Sequence, residues 1–393
     1  MTQTKKKSYK YLLALGHLCS DINQGSLNSI IPFLIAAYNF NYTTAATLVF
    51  LSNIIGSIIQ PICGALADKK SMPETMVIGM LLAAGGMSLT GYMSTFGGLA
   101  ICVIISGIGS AVFHPQAARL INKFSEKGHE GFAISVFSFG GSFGFAVAPI
   151  LITASIVGLG LKGTGVLCIP AIIASGFLFS QSKNMKDDRI AKTINPSDLE
   201  KIGTEIEPTI DKWGAFTILG FFVLFRSIAL IGMNTFTSLY FINELGRTEV
   251  FGNSMLSLYY TVSTLTTLFG GTFADKIGYT NLLKIASLML GISIIGFSLA
   301  HDTVLCVILL VPIACAMNLT YSPIVVLGQK YLPNHVGLAS GLTLGLAMSL
   351  GGIFSPLLGT IGDNRGLTVV MYVIGGVAII PAIISWFLPE PGK

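Results

Sequence analysis

The chain has 393 residues, of which 52% are hydrophobic and only 10% are charged, and its formal net charge is +5. A soluble domain carries about 25% charged residues, so this chain has too few to cover a water-facing surface. Apolar runs of about 20 residues recur along the whole length, which predicts a multi-pass membrane protein and excludes a soluble globular domain.

The basic N-terminus, MTQTKKKSYK, precedes the first apolar segment, 9–38. A secretory signal peptide also begins with a basic stretch, but its apolar core is much shorter and a small-residue cleavage site follows it. We therefore expect this segment to be retained as the first transmembrane helix.

Twelve apolar segments follow one another, and each predicts a transmembrane helix. Their approximate spans are 9–38, 43–67, 74–94, 97–121, 130–157, 163–181, 212–243, 250–274, 279–300, 302–329, 336–361 and 367–389. The long hydrophilic stretch at the middle mixes both charge signs and reads as a solvated connector. The prediction is an all-α membrane protein with a six-helix bundle over 1–181, a cytoplasmic connector over 182–211 and a second six-helix bundle over 212–393.

Lysine and arginine are unequally distributed between the two sides of the predicted membrane. With the N-terminus inside, 19 of the 23 fall on the inner side, and three fall on the outer side, namely Lys162, Arg247 and Arg365. Because cytoplasmic loops carry the excess of basic residues, both termini are expected to be cytoplasmic. The same asymmetry explains the positive net charge, so no nucleic-acid partner is needed.

Sequence landmarks recur at one offset between the two halves. Asp68 in GALADKK and Asp275 in GTFADKIG are 207 residues apart, and so are Pro149 and Pro356. The prolines of FHPQAA and YSPIVV are 208 residues apart, and the segments HEGFA and HVGLA are 206 apart. These matches predict two copies of one six-helix unit, related by an axis along the membrane normal.

The turn after the second segment and its copy after the eighth share the pattern G-x-[LF]-A-D-K. The glycine permits close helix contact, and the aspartate can accept hydrogen bonds from a neighbouring helix N-terminus, which would latch the bundles in one state. A plain cytoplasmic turn is the alternative, which two matched copies disfavour. For Arg119, snorkelling to the headgroups is the alternative. The expected gating residues are Gly64, Asp68, Lys69, Gly271, Asp275, Pro115, Arg119, Pro149 and Pro356.

Six plus six helices with this motif after segments two and eight resemble the major facilitator superfamily. A narrower resemblance is to the fosmidomycin resistance protein group of exporters. It is carried by GHLCSDINQG, FHPQAARL, FRSIALIGMNTF and GQKYLPNHVGLASGLTLGLAMSLGGIFSPLLGTIGDNRGL. This resemblance implies a proton-driven efflux carrier, and the namesake drug of the group, fosmidomycin, is a small phosphonate.

The first segment carries a polar stripe, because His17, Asp21, Gln24 and Asn28 fall within about 60° of one another on a helix. Of the 18 acidic residues, Asp21 alone lies well inside a membrane segment. A charge there costs at least about 2.5–3.5 kcal/mol. A carboxylate whose solvation changes between two conformations can bind a proton in one and lose it in the other. We expect Asp21, with His17, to couple protons to transport. A structural hydrogen bond to a neighbouring helix is the alternative.

Arg226 lies near the middle of the seventh segment. Because arginine keeps its charge, it needs either a carboxylate partner or a bound anion. Its guanidinium group binds phosphate or phosphonate oxygens in a bidentate manner. Arg226 could form an ion pair with Asp21 in the resting protein, or it could anchor the substrate. The two roles are compatible.

Other polar side chains inside the segments are candidates to line a central cavity. His114 could bind substrate or relay protons. The alternative is a structural histidine in the core whose ring nitrogens are hydrogen-bonded within the protein. The predicted substrate-binding residues are Arg226, Gln24, Asn28, His114, Asn234 and Tyr321. In the second half some of the polar residues are expected to line the cavity, and interfacial aromatic anchoring explains several of them equally well. These residues are Asn234, Tyr240, Tyr259, Tyr260, Asn318 and Tyr321. GGSFG at 140–144 and SLGGIFSP at 349–356 place small residues at close helix contacts.

The sequence therefore predicts proton-coupled efflux of a small polar or anionic compound by alternating access. Proton-coupled uptake of an organic anion is the alternative. No catalytic constellation or phosphate loop is visible, so an enzyme is not expected. The six cysteines form no C-x-x-C pair, and neither a cofactor nor a metal site is predicted. The expected location is the bacterial cytoplasmic membrane, and the expected state is a monomer.

Overall fold

The computed structural model describes residues 3–69, 72–125, 130–186, 210–335, 338–339, 342–343 and 351–390. These residues are almost all helical and include no β-strand, which confirms the predicted all-α class. The helices of the first half are α1 (Gln3–Tyr38), α2 (Tyr42–Lys69), α3 (Glu74–Leu89), α4 (Phe96–Phe124), α5 (Glu130–Leu159) and α6 (Cys168–Met185). Those of the second half are α7 (Trp213–Asn243), α8 (Glu249–Ile277), α9 (Tyr279–Leu299), α10 (Thr303–Leu319), α11 (Tyr321–Tyr331), α12 (Ser355–Arg365) and α13 (Leu367–Ile384).

The predicted connector, 182–211, lies mostly outside the described residues. The same holds for most of the predicted eleventh segment before α12. The division into two six-helix domains therefore remains a prediction from the repeat.

The tenth predicted segment is two helices in the structure, α10 and α11, which meet at Thr320. Pro323 lies in the first turn of α11 and has no N–H to donate to the carbonyl of Leu319, four residues earlier. Regular backbone bonding is therefore weakened at this point. The carbonyl of Met317, next to the interruption, accepts a hydrogen bond from the Thr320 hydroxyl at 3.0 Å.

Within the described ranges, nine helical segments are long and apolar enough to cross a membrane. The helices outside this group are α1, α8 and α12. The described part of α12 has only 11 residues, whereas α1 and α8 are long but carry many polar side chains. Those polar residues meet each other, because Asn28 of α1 donates to the Tyr260 hydroxyl of α8 at 3.2 Å. The predicted count of twelve spans remains a prediction.

The helices pack in two groups that follow the two halves of the chain. In the first half, α1 packs on α5, and α4 packs on α2 and α3. In the second half, α13 packs on α7 and α9, and α10 packs on α8 and α9. The halves meet along two seams, α5 with α8 and α2 with α12. The repeat relates these seams to each other, since α2 corresponds to α8 and α5 to the segment that contains α12.

One cluster of buried apolar side chains is shared by both halves. It includes Leu34 and Val49 from the first half and Phe236 and Phe241 from the second. These residues lie toward the end of the bundle where α1 finishes and α2 begins, which we call the outer end. The shared cluster therefore seals the outer end between the halves.

The opposite end of the bundle, where α1 begins, is called the inner end. Here each half has its own core. Tyr9 and Phe124 belong to a first-half cluster, whereas Phe222 and Tyr331 belong to a second-half cluster. Among the described residues the two halves thus share apolar packing at the outer end and part from each other at the inner end, which the basic residues predict to be cytoplasmic.

Candidate functional site

The polar stripe of α1 faces protein. Asp21 and Asn28 are buried, with exposed fractions of 5% and 8%, and His17 and Gln24 are half-buried. The stripe is directed at α4, α5 and α8, because α1 packs on α5 and contacts α4 and α8. This position agrees with the expectation that the stripe avoids lipid.

Asp21 forms a three-residue cluster with two histidines. Nε2 of His17, one turn earlier on α1, lies 3.2 Å from Oδ2 of Asp21. Nε2 of His114, on α4, lies 3.0 Å from Oδ1. Each imidazole therefore engages its own carboxylate oxygen. The sequence analysis paired Asp21 with His17 but assigned His114 to substrate binding, because residues 93 positions apart give no sign of their contact.

The other ring nitrogen of each histidine contacts a backbone carbonyl. Nδ1 of His17 lies 2.8 Å from the carbonyl oxygen of Phe137, and Nδ1 of His114 lies 2.8 Å from that of Ser110. A carbonyl oxygen only accepts hydrogen bonds, so each Nδ1 carries a hydrogen. The tautomers are assigned from these partners.

The two contacts between Nε2 and the carboxylate each need a proton as well, because facing lone pairs repel each other. Since both Nδ1 atoms already carry hydrogens, this geometry fits a cluster with two further, shared protons. Two imidazolium groups and one carboxylate give a net formal charge of +1.

Imidazole nitrogens and carboxylate oxygens are also metal-binding atoms, and these three donors lie within 4.8 Å of one another. The sequence analysis expected no metal here. We interpret the cluster as a proton site because each imidazole lies at hydrogen-bonding distance from its own carboxylate oxygen.

Helix α5 approaches the cluster closely because Gly141 has no side chain. A Cβ at this position would lie 2.5 Å from Cε1 of His17 and 2.6 Å from Oδ2 of Asp21. Any larger residue would displace one of these two groups. The glycine run GGSFG thus has a specific role next to the cluster, beyond close packing of two helices.

A chain of hydrogen bonds leads from the cluster to a cavity between the halves. The Ser110 hydroxyl lies 3.1 Å from Nδ1 of His114, and Nε2 of Gln24 donates to the same hydroxyl oxygen. Gln24 also lines a small pocket that is partly open to solvent. The polar residues of the cavity wall come from α1, α2 and α7, and they are Gln24, Asn28, Ser52, Asn53, Asn234 and Thr235.

Arg226 is buried in the second half, with an exposed fraction of 5%. Its Nε donates to the Thr320 hydroxyl at 2.7 Å, and its Nη2 donates to the Met317 carbonyl beside the helix interruption. Both partners are neutral. Among the described residues, no carboxylate lies at ion-pair distance from Arg226, and Asp21 is engaged by the histidines instead. The resting Asp21–Arg226 pair is therefore not formed in this conformation.

Two tyrosines, Tyr321 and Tyr259, lie near Arg226. Tyr321 is 49% exposed, yet it lies within electrostatic reach of both Arg226 and Asp21. Tyr259 also lies within reach of Arg226, and its buried hydroxyl has no hydrogen-bond partner among the described residues. Arg226 and these phenols form a region rich in hydrogen-bond donors.

The remaining polar positions of the second half divide into two kinds. Asn234 lines the cavity, and its Oδ1 is buried without a hydrogen-bond partner among the described residues. Tyr240 instead bonds to the Ala300 carbonyl at 3.4 Å, and Asn318 bonds to the Ala314 carbonyl at 3.1 Å. Tyr240 thus joins α7 to the end of α9, whereas Asn318 bonds within its own helix.

A carboxylate joins the halves at the outer end. Asp363, in the last turn of α12, accepts hydrogen bonds from the backbone N–H of Tyr42 at 2.6 Å and of Thr43 at 3.0 Å. It also accepts from the Thr43 hydroxyl at 2.5 Å. These groups belong to the first turn of α2, where a negative charge is stabilising. Sequence analysis missed this contact, since only the fold brings the two helix ends together.

The repeated motif is partly described. Gly64 faces Pro115 of α4, because a Cβ there would lie 3.8 Å from that proline. The side chains of Asp68 and Lys69 lie outside the described set, so their latch role stays a prediction.

The residues of the second motif copy contact neighbouring residues of the second half. Asp275 accepts from the Tyr279 hydroxyl at 2.7 Å, and Gly271 faces Ser322 of α11. The N-terminus of α9 is capped by Glu390 near the end of the described chain, with backbone contacts of 3.2 Å to Tyr279 and Thr280. In this conformation Asp275 therefore does not cap a helix.

The remaining predicted gating residues occupy varied positions. Pro115 and Pro149 lie inside α4 and α5, whereas Pro356 lies in the first turn of α12. Arg119 is half-buried, and its Nη1 is buried without a hydrogen-bond partner among the described residues. This buried position does not fit the alternative in which the Arg119 guanidinium group snorkels fully to the lipid headgroups.

Comparison with known proteins agrees with this architecture. The Major Facilitator Superfamily profile matches residues 13–356. The chain is 26% identical to the fosmidomycin resistance protein of Escherichia coli (strain K12), covering 96% of this chain and 92% of that protein. It is 27% identical to the uncharacterized MFS-type transporter YfnC of Bacillus subtilis (strain 168), covering 98% and 94%.

Among solved structures, a bacterial homolog of the human lysosomal transporter Spinster, in an inward-facing and occupied conformation, superposes with a TM-score of 0.80. The sequences are 13% identical, and the match covers 97% of this chain and 96% of that chain. This similarity concerns the fold alone. On the sequence match and this architecture, the chain belongs to the Major Facilitator Superfamily, whose fold is that of membrane transporters.

Proposed function

We propose that this protein is a proton-coupled antiporter that exports a small polar or anionic compound, such as a phosphonate antibiotic, by alternating access. We place it in the bacterial cytoplasmic membrane as a monomer, with both termini in the cytoplasm. The full-length similarity to a fosmidomycin resistance protein supports export of a phosphonate.

The observation that carries the proposal is the separation of two charged groups across the space between the halves. The first half holds Asp21 with His17 and His114, and the second half holds Arg226 with neutral partners. Tyr321 lies within electrostatic reach of both sides. We assign proton binding to the cluster and anion binding to Arg226, whose guanidinium group suits phosphonate oxygens.

The conformation fits one stage of a transport cycle. The shared core at the outer end and the separate cores at the inner end support a conformation whose cavity opens toward the expected cytoplasmic side. In the export cycle, the cluster releases protons to the cytoplasm and the anion binds at Arg226. After the inner end closes and the outer end opens, the anion leaves and protons bind again.

We assign the outer gate to the contact between Asp363 and the first turn of α2, which must break when the outer end opens. The predicted inner counterpart is Asp68, at the last turn of α2. In this proposal α2 and the segment containing α12 each present a carboxylate to the other's N-terminus in turn.

A second function, proton-coupled uptake of an organic anion, is favoured by charge balance. The cluster with two shared protons and Arg226 together carry a formal charge of +2, from +1 on each, and a bound dianion would neutralise it. Protons and an anion would then favour each other's binding because opposite charges attract. This coupling moves both in the same direction.

Proteoliposomes with labelled fosmidomycin distinguish the two directions. If the protein is an antiporter, an acidic exterior accelerates loss of labelled fosmidomycin preloaded inside. If it is an uptake carrier, the same gradient drives accumulation of external label. If the rate of fosmidomycin transport does not change with the imposed pH gradient, proton coupling is wrong in both proposals.

A further inference from the structure

The cluster of His17, Asp21 and His114 contains the donor atoms of a transition-metal site. Its side chains offer two imidazole nitrogens and one carboxylate, which suit Zn²⁺ and similar ions, whereas Mg²⁺ and Ca²⁺ prefer oxygen donors. The donor atoms of the three residues all lie within 4.8 Å of one another. The donor set therefore has the composition of a zinc site.

The distances in the cluster need only a small adjustment to hold an ion. Zn²⁺ binds nitrogen and carboxylate oxygen at about 2.0–2.2 Å, so neighbouring donors in a tetrahedral site lie about 3.3 Å apart. Nε2 of His17 and Nε2 of His114 lie 3.2 Å and 3.0 Å from the two oxygens of Asp21, already close to this separation. Since all the donors lie within 4.8 Å, the two imidazoles would approach each other by at most about 1.5 Å.

Both imidazoles are held in the orientation that binds a metal ion. Nδ1 of His17 donates to the Phe137 carbonyl at 2.8 Å, and Nδ1 of His114 donates to the Ser110 carbonyl at 2.8 Å. A metal-binding histidine almost always donates its other ring N–H in this way, which fixes the ring and directs its remaining nitrogen at the ion. The Phe137 ring also stacks on His17, with 4.1 Å between ring centroids. The outer contacts of a metal site are thus already present.

The donors are open to an arriving ion. The side chains of His17 and His114 keep 12% and 20% of their surface exposed. A Cβ on Gly141 of α5 would lie 2.6 Å from Nε2 of His17 and 2.6 Å from Oδ2 of Asp21. Any side chain at this position would cover two of the donors, whereas the glycine leaves them uncovered.

A divalent ion would replace the two shared protons without changing the charge of the cluster. Two imidazolium groups and one carboxylate carry a net formal charge of +1. Zn²⁺ with two neutral imidazoles and one carboxylate also carries +1, so one ion enters as two protons leave for the solvent. An ion that occupies these donors excludes the protons that drive transport.

We propose that His17, Asp21 and His114 form a binding site for Zn²⁺ and similar divalent ions, and that the bound ion inhibits proton-driven transport. Binding of the ion depends on the donor atoms alone. Inhibition rests on the proposed function, because it requires the same cluster to carry the protons.

Calorimetric titration of Zn²⁺ into the untagged full chain in lipid nanodiscs tests the site. We expect one strong site per chain, with two imidazole ligands in the X-ray absorption spectrum of the bound zinc, and no competition from about 1 mM Mg²⁺. His17→Gln and His114→Gln should each weaken the affinity at least about 100-fold, because loss of an outer contact alone costs about 10–100-fold. Size-exclusion profiles identify a variant that fails to fold, and the other histidine variant then still decides the question.

His335→Gln is the matched control. His335 lies 3.5 Å from Asp211, so it also forms a histidine–carboxylate pair, but no second imidazole joins that pair in the described part of the chain. This variant should bind Zn²⁺ as the wild-type protein does. The proposal is overturned if the wild-type protein has no strong zinc site, or if His335→Gln loses as much affinity as His114→Gln.

Transport of labelled fosmidomycin in proteoliposomes separates the metal site from the proposed function. Zn²⁺ that fills the site should stop gradient-driven transport by the wild-type protein, and inhibition of His114→Gln should need about 100-fold more Zn²⁺. Any binding of Zn²⁺ by the substrate affects both proteins equally. Gradient-driven transport by a protein without a zinc site would leave the proposed function intact and remove the metal site. A filled zinc site with undiminished transport would contradict inhibition, and with it the assignment of the protons to this cluster.

Discussion

The two halves of this protein are predicted copies of one six-helix unit but contain different chemistry at matching positions. Helix α1 opens the first half with Asp21 and His17, and α7 opens the second half with Arg226. The acid is surrounded by groups that share protons with it, whereas the arginine has only neutral partners. The predicted repeat offers two equivalent scaffolds, and the proposal assigns one to the proton and the other to the anion.

The largest effect is expected from removing the cation. Arg226→Ala should lower the rate of labelled-fosmidomycin transport in proteoliposomes by about 100-fold or more. The variant loses the charge-assisted hydrogen bond to the substrate, and the buried anion then has no cationic partner. Arg226→Lys should recover part of the activity. Arg247→Ala is the control, since Arg247 is exposed and contacts Thr303 outside the cavity. Full activity in Arg226→Ala would assign the anion elsewhere.

Crowding the cluster should have the next largest effect. Gly141→Ala places a methyl group within 2.6 Å of His17 and Asp21. Overpacking of this kind costs about 1–3 kcal/mol, so proton-driven transport should fall about 10- to 100-fold. Gly158→Ala, on the same helix with nothing within 4 Å, is the matched control. If the two variants behave alike, the close approach of α5 has no functional role.

Removing one histidine should change the number of protons rather than stop transport. In His114→Gln, only His17 remains to share a proton with Asp21. The ratio of protons to substrate should fall from two to one. The pH gradient that balances a known fosmidomycin gradient at zero net flux measures this ratio. An unchanged ratio of two would contradict the proton count derived from the two Nε2 contacts.

The outer gate should show the smallest effect. Asp363→Asn keeps the shape but removes the negative charge at the N-terminus of α2, which is worth about 0.3–1 kcal/mol at an exposed site. The population with an open outer end should rise up to about fivefold, measured by spin-label distances between α2 and α12. Glu244→Gln is the matched control, because Glu244 caps α13 within the second half through Leu367 and Thr368. Equal shifts in both variants would argue against a gate at Asp363.

Sequence patterns anticipated the features that depend on one helix at a time. The helical class, the buried position of Asp21 and its contact with His17 all follow from spacing within single segments. The partners of these residues did not follow, because His114 and Ser110 reach Asp21 and Gln24 only through the packing of α4 on α1. The outer contact of Asp363 likewise requires α12 and α2 to be neighbours. The break at Thr320 was missed because an apolar stretch containing Pro323 is compatible with either a bent or an interrupted helix.

The most direct test of the central claim compares two modes of transport in Asp21→Asn. Gradient-driven movement of labelled fosmidomycin requires the shared protons, whereas exchange of labelled for unlabelled compound at equal pH requires only the anion site. We predict that Asp21→Asn loses the gradient-driven mode and retains exchange, while Asp302→Asn, which only caps α10, retains both. Wild-type response to the pH gradient in Asp21→Asn would contradict the assignment of the proton to this cluster.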